Sequence, residues 1–319
     1  MQKFAVEFHT LSYILQKANR VLLFAHNRPD SDTTGSVLAL KAYLLEIGKR
    51  ADIACFDPFP EHLKSLSDEH FTHPDQLVVS DYDVIVACDS VERGFQKIVD
   101  RFSIQHVIVL IDHHPDIALE ADVRIVDATY SSVCEIIYHF FSYAGVRINR
   151  KIATFLVLGI LGDTGIFQHS NTTAQVMDIA SDLIRKGAPV SKIIELAFSN
   201  KKISTLHLWG RAIEKAKIDS KSGMIATVVT QKDIEECGAS AEDLAQIASI
   251  LNTVPGTRFS LILSERGDGI IKGSLRSEAY KGVDVSELAH RFGGGGHVLA
   301  SGFEVKGQIV ETAGGWEIR

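Results

Sequence analysis

The chain has 319 residues, 45% of them apolar and 23% charged, the profile of a globular protein with room for two cores. Its longest apolar stretches, such as VLLFA and TFLVLGILG, fall far short of the ~20 residues a membrane span needs. Net charge is −7, yet residues 201–319 carry 15 Lys+Arg against 15 Asp+Glu, so the whole acidic excess lies in residues 1–200. That balance lacks the dense basic stripe of a long-duplex binder and suits a region that gathers carboxylates around divalent cations. The start MQKFAVEFHTLSYILQ has no basic leader or small-residue cleavage site. Cys55, Cys88, Cys134 and Cys237 form no CxxC pair. The expectation is a cytoplasmic protein with free, mostly buried thiols and no zinc–thiolate site.

In chain order, residues 7–19 read as a helix and VLLFAH (21–26) as a short apolar strand running into a polar loop. TGSVLALKAYLLEIG (34–48) has helical spacing and stops at Gly48. RADIACF (50–56), DVIVACD (83–89) and HVIVLID (106–112) read as strands, the last two fully apolar. Helices are predicted over 131–145, 150–165 and 172–187. Apolar strands alternating with helices imply a parallel sheet covered on both faces. The rhythm changes near 188–215, a helical connection, and a domain boundary is expected near 190–220. MIATVVT (224–230) reads as a strand, and TRFSLILSERGDGIIKGSLRS (257–277) as a hairpin turning at RGDG. DVSELAHRFGGGGHVLASGFEV then offers a helix, four glycines and a histidine.

In an open parallel sheet, ligands bind at the carboxyl ends of the strands. VLLFA leads into His26-Asn27-Arg28-Pro29-Asp30-Ser31-Asp32, VIVAC into Asp89, and VIVLI into Asp112-His113-His114; the helix TFLVLGIL ends in Gly162-Asp163. Taken singly, Asp30 or Asp32 serves equally well as a helix N-cap, and Asp89 as a turn residue. Four apolar elements ending this way are harder to explain structurally. Carboxylates gathered without basic partners repel unless cations fill the space. Mixed His and Asp donors suit Mn²⁺, Mg²⁺, Fe²⁺, Co²⁺ or Zn²⁺, and more than four donors suggest two metals, the arrangement of phosphoester hydrolysis.

HNRPDSDTTGS, VACDS, IDHHPD and LGILGDTGIF resemble the four motifs of the DHH phosphoesterase superfamily, and GSLRS with GGGGHVLASGF resembles its C-terminal DHH-associated domain. The motifs stand in the expected order over residues 26–303. Length and layout look most like the stand-alone NanoRNase/pAp phosphatase type. The resemblance implies an N-terminal doubly wound, mainly parallel, Rossmann-like α/β sheet (1–190), a helical linker (191–220) and a smaller α/β substrate-binding domain (221–319), with a cleft between the domains. It implies two divalent cations, Mn²⁺ or Mg²⁺. His26 and Asp30 would bind the first, Asp32, His113 and Asp163 the second, and Asp89 both. His114 would contact the reacting phosphate, with Asp112 orienting the neighbouring histidines. Arg276, His297 and the backbone of Gly294, Gly295 and Gly296 would hold substrate phosphate, and Arg28 adds a positive charge near the site. Ser31 and Thr33 depart from the more usual glycine and alanine but are small enough to keep the turn. His169 in FQHSNTT reads as a surface polar residue, TTAQ as helix capping, and Phe292 and Phe303 as core.

The expected activity is two-metal hydrolysis of short oligoribonucleotides and of 3′-phosphoadenosine 5′-phosphate (pAp). The alternatives are a linear dinucleotide (pApA-like) phosphodiesterase, a single-strand exonuclease, an exopolyphosphatase or a catalytically silent nucleotide-binding protein. A homodimer is compatible with this type. A dinucleotide cofactor is disfavoured because no G-x-G-x-x-G follows the first strand.

Overall fold

The structure is a computed structural model that describes residues 3–319 apart from 91–93, 98, 100–105, 115–116, 200, 245, 268 and 313–314. Residues 1–200 and 201–319 form two separate compact units. In the first, the described elements run α1 (Ala5–Lys17), β1 (Arg20–Phe24), α2 (Ser31–Glu46), β2 (Arg50–Ala54), β3 (Val84–Cys88), β4 (Val107–Asp112), β5 (Val123–Val126), α3 (Val133–Tyr143), α4 (Arg150–Asp163), α5 (Ala174–Arg185) and α6 (Val190–Ile194).

All five strands are parallel, in the order β2-β1-β3-β4-β5. Strand parity divides the apolar residues between two cores. Val21, Leu23, Val84, Val86, Val109 and Ile111 pack with α1 to α5. Leu22, Phe24, Ile85, Ala87 and Leu110 face Tyr82, Phe95 and Ile117. The sheet is therefore parallel and buried, as its unbroken Val/Ile runs require. Among the described residues, however, its second face is covered by loops and short 3₁₀ turns between 56 and 121 rather than by long helices. The helix read from residue 34 starts three residues earlier, because the Asp30 side chain accepts from the Asp32 and Thr33 amides and caps it. Strand β5, VRIV, is not evident from the sequence: it is four residues long, and Arg124 interrupts its apolar pattern.

The second unit contains α7 (Ile203–Glu214), β6 (Lys217–Asp219), β7 (Met224–Val229), α8 (Gln231–Cys237), α9 (Ile247–Asn252), β8 (Phe259–Glu265), β9 (Ile270–Arg276), α10 (Val285–His290), β10 (Gly295–His297), β11 (Ala300–Lys306), β12 (Ile309–Thr312) and β13 (Gly315–Ile318). Six strands form a mixed sheet, β10-β11-β9-β8-β7-β6, with only β7 and β8 parallel. Leu208 and Ala212 of α7 are buried with Ile225, Val229, Ile247 and Ile262. This helix, inside the segment read as a linker, thus packs as part of the second unit's core. On the other sheet face, Val228, Leu263, Ile271, Leu275 and Phe303 pack with Val285 and Ala289 of α10. Cys55, Cys88 and Cys134 are buried, Cys237 is half-buried, and all four thiols are free. Among the described residues, no helix is long and apolar enough to cross a membrane.

Candidate metal centre and anion site

Strand order reverses between β1 and β3, so the chain connections leave the sheet in opposite directions there and open a crevice at the strands' carboxyl ends. His26, directly beyond β1, is fully buried. Its Nδ1 lies 2.7 Å from the Asn27 carbonyl, which directs Nε2 towards Asp30 Oδ2 (3.1 Å) and Asp89 Oδ2 (3.4 Å). Asp30 serves two purposes: Oδ1 caps α2 and Oδ2 faces His26. The N-cap and ligand readings of this residue are therefore compatible. His113 shows the same pattern, with Nδ1 3.4 Å from the Tyr130 carbonyl and Nε2 3.0 Å from Asp163 Oδ2. A backbone acceptor at Nδ1 fixes the tautomer that leaves Nε2 as the donor to a metal.

Asp89 lies between these groups. It is left-handed (φ 52°), which asparagine-like side chains tolerate, and buried. His113 Nε2 and His114 Nδ1 lie 3.8 and 3.2 Å from its Oδ1. The first is beyond hydrogen-bond distance and the His114 Nδ1 lies closer to Asp112, so among the described residues Oδ1 is a buried acceptor without a hydrogen bond. Such an atom is costly to leave unmatched, and an added cation satisfies it. Ligand atoms of His26, Asp30 and Asp89 lie within 4.8 Å of one another; so do those of Asp32, Asp89 and His113, and of Asp89, Asp112 and His114. The oxygen and imidazole donors suit hard to borderline divalent ions.

Asp32 is fully buried, and its two oxygens accept from the Val133 and Cys134 amides at 2.7 and 2.9 Å. These are the first amides of α3, where unpaired N–H groups and the helix dipole favour an anion. Gly159 of α4 leaves the space: a Cβ there would lie 2.2 Å from Cys134 Sγ and 2.6 Å from Asp32 Oδ1. Gly159→Ala is expected to destabilise the chain by about 1–3 kcal/mol through overpacking. Equilibrium denaturation checks this, and an unchanged midpoint would contradict the close packing.

Burial and mutual charge set the protonation of the chain alone. Burial works to lower the His26 pKa, but hydrogen bonds and charge from Asp30 and Asp89 outweigh it and raise it to about 10. His114 is raised to about 9, burial again being overcome, here by Asp112 and Asp89. Burial and neighbouring carboxylates push Asp32 well up, whereas Asp89 is held well down because the surrounding imidazoles overcome its burial. Asp112 accepts from the His114 amide at 3.0 Å and lies 2.8 Å from its Nδ1. Asp112 thus bonds His114, while the Tyr130 carbonyl lies at His113 Nδ1.

Arg28 is exposed and left-handed (φ 54°), with its amide bonded to Asp57. His169 is half-buried, with Nδ1 3.1 Å from the Asp163 carbonyl, so it is more than a surface residue. Thr173 does cap α5. The contributions of Tyr130, the α3 amides and Asn171 were missed from sequence, where the Ser131-Ser132 pair ahead of an apolar helix was the available signal; His169 was noted there, after motif four.

In the second unit, β-sheet register places Arg276 opposite Ala300 and Ala300 opposite His297. Residues opposite one another share a sheet face, so Arg276 and His297 flank a small residue in one row. The next row is Ser274, Gly302 and Gly295. Glycines keep this surface low, and a Cβ on Gly294 would lie 2.1 Å from the Gly302 carbonyl. The Gly293 and Gly294 amides, however, donate to the His290 and Ala289 carbonyls and close the end of α10. The Gly294 amide is thus already engaged within the unit. Phe303 is buried, but Phe292 is 55% exposed and stacks on it with centroids 4.6 Å apart, so Phe292 is not a core residue.

The model of the DHH family N-terminal domain matches residues 20–160, and the DHHA1 domain model matches 220–313. The chain belongs to the DHH phosphoesterases carrying a C-terminal DHHA1 domain, and is a hydrolase of phosphoester bonds. It is 29% identical over 293 residues to the bifunctional oligoribonuclease and PAP phosphatase NrnA of Bacillus subtilis, covering 89% of each chain. It is 28% identical to the protein of that name from Thermus thermophilus, covering 92% of this chain and 86% of the relative. Its fold is that of an exopolyphosphatase-related protein from Bacteroides fragilis, with a TM-score of 0.87, 24% identity, and coverage of 95% and 92% of the two chains.

Proposed function

We propose that this chain hydrolyses short oligoribonucleotides to mononucleotides and pAp to AMP, using two divalent cations, Mn²⁺ in the first instance. The observation that carries this reading is Asp89: its carboxylate is common to three groups of close-set donors, and Oδ1 lacks a hydrogen bond. The names of relatives matched along nearly their whole length favour these substrates over others of the family.

His26, Asp30 and Asp89 are assigned to one cation, and Asp32, Asp89, His113 and Asp163 to the other. When bound, two such cations supply Lewis acidity at the phosphate and an activated water for in-line attack. The chain's own residues do the rest. The backbone carbonyls behind His26 and His113 keep each Nε2 aimed inwards. His114, held by Asp112, is assigned to the reacting phosphate, where its charge offsets the developing anion and its proton is available to the leaving oxygen. Arg276 and His297, with the Gly295 and Gly296 backbone of β10, are assigned to a substrate phosphate. Arg28 adds positive charge at the rim of the first unit's crevice.

A substrate panel tests the reading. A 5′-labelled RNA dinucleotide, a five-mer, a 24-mer, pAp, linear pApA and polyphosphate are each incubated with Mn²⁺ or Mg²⁺, with chelated protein as the blank. Fast turnover of the two- to five-mers and of pAp is expected, with the 24-mer at least tenfold slower. Turnover of pApA alone would replace the reading with dinucleotide clearance, and turnover of polyphosphate alone with an exopolyphosphatase. Cation binding without any turnover would sink it.

A further inference from the structure

Asp163 is the last residue of α4. A helix C-terminus leaves carbonyls unpaired and repels a carboxylate, so this position needs support from elsewhere. The chain beyond it provides that support. Gly165, Ile166 and Phe167 are left-handed in succession (φ 55°, 58° and 64°), a conformation that branched and aromatic residues adopt only where the surroundings impose it. The turn carries the chain back over the helix end. There the Asn171 Nδ2 donates to the Asp163 carbonyl at 3.2 Å, beside His169 Nδ1 at 3.1 Å.

The same Nδ2 donates to the Ser131 carbonyl, also at 3.2 Å. Ser131 immediately precedes Ser132, the N-cap of α3, and the first two amides of α3 hold both oxygens of Asp32. One amide group therefore ties the end of α4, which carries Asp163, to the start of α3, which holds Asp32. Asn171 Oδ1, in contrast, is buried and has no hydrogen-bond partner among the described residues. The side chain is retained for its donor end, and a buried unmatched oxygen is the cost.

We propose that Asn171 is a positioning residue for one cation of the pair, setting the separation of Asp32 and Asp163; this rests on the two-cation reading above. Its loss loosens that site and leaves the site of His26 and Asp30 as it was. Groups that orient metal ligands typically contribute 10–100-fold in affinity.

The experiment is a calorimetric Mn²⁺ titration of the full chain, alongside thermal unfolding of the metal-free chain and kinetics with pAp. For Asn171→Ala the expected result is 10–100-fold weaker binding at one of two sites and at most about a twofold change at the other. The metal-free unfolding midpoint should stay close to wild type, and kcat should fall at unchanged KM and recover at high Mn²⁺. Asn171→Ser, which keeps a single donor, should lie between and decides the matter if the alanine variant aggregates. Two unchanged affinities would overturn the proposal. So would an equal loss at both sites with a lowered metal-free midpoint, the mark of a purely structural residue. A wild-type chain that takes up fewer than two Mn²⁺ would instead bring down the two-cation reading, and the proposal with it.

Discussion

Asp89→Ala is expected to lower kcat for pAp and for an RNA dinucleotide by about 10³-fold, the scale of removing a principal electrostatic group from an active site. The reason lies in how much converges on this one carboxylate. His26 Nε2 lies 3.4 Å from Oδ2, and His113 Nε2 and His114 Nδ1 lie 3.8 and 3.2 Å from Oδ1. Without Asp89, both assigned cation sites lose a donor, and the buried imidazoles lose the anion that offsets their charge. Asp89→Asn keeps the shape and removes only the charge, so it should be nearly as inactive. Single-turnover hydrolysis and Mn²⁺ stoichiometry, measured together, check this. Either variant keeping activity within tenfold of wild type would remove Asp89 from the role of shared ligand.

The second large effect is on stability. The chelated chain should become markedly less stable between pH 7 and pH 10, while the Mn²⁺-loaded chain changes little over that range. The folded-state pKa values of His26 and His114, about 10 and about 9, lie above the ordinary imidazole value of 6.5. Their protonated forms therefore contribute stability that is fully present below about pH 6.5. It is lost as the pH rises through 9 to 10. Asp32, raised by burial and like charge, acts in the same direction, because ionising it costs more in the folded chain than in the unfolded one. On the order of 3 kcal/mol is at stake for each of these imidazoles in the limit of full deprotonation. Bound cations take the place of the protons and remove this dependence. Thermal unfolding at several pH values, with chelator and with Mn²⁺, makes the comparison. Parallel profiles in the two conditions would show that His26 does not stand among the cation ligands and that no cation sits beside His114.

Much of this is legible without coordinates where local chemistry decides it. The short apolar runs VLLF, VIVAC and VIVLI fit helix segments by length, but their Val/Ile enrichment favours the buried strands they form. Ser132, Asn149 and Thr173 begin helices because each side chain bonds an amide that the first turn leaves free. Strand β10 was illegible for the converse reason: Gly-Gly-His has no intrinsic strand preference, and only its partner β11 makes it one. Likewise β5 pairs with β4 through a register that nothing in VRIV announces.

The amino-acid sequence by itself determined a parallel first unit, a smaller α/β second one with a hairpin, and six His and Asp side chains at the ends of buried elements, because burial periodicity and strand-end position are local properties. Only the tertiary structure decided how those side chains are held. The carbonyls of Asn27 and Tyr130 choose the imidazole nitrogens, the α3 amides fix Asp32, and Asn171 joins the end of α4 to the start of α3. These are backbone groups and long-range hydrogen bonds. Every residue carries the same N–H and C=O, so a residue list cannot distinguish the few that the packing brings to the site.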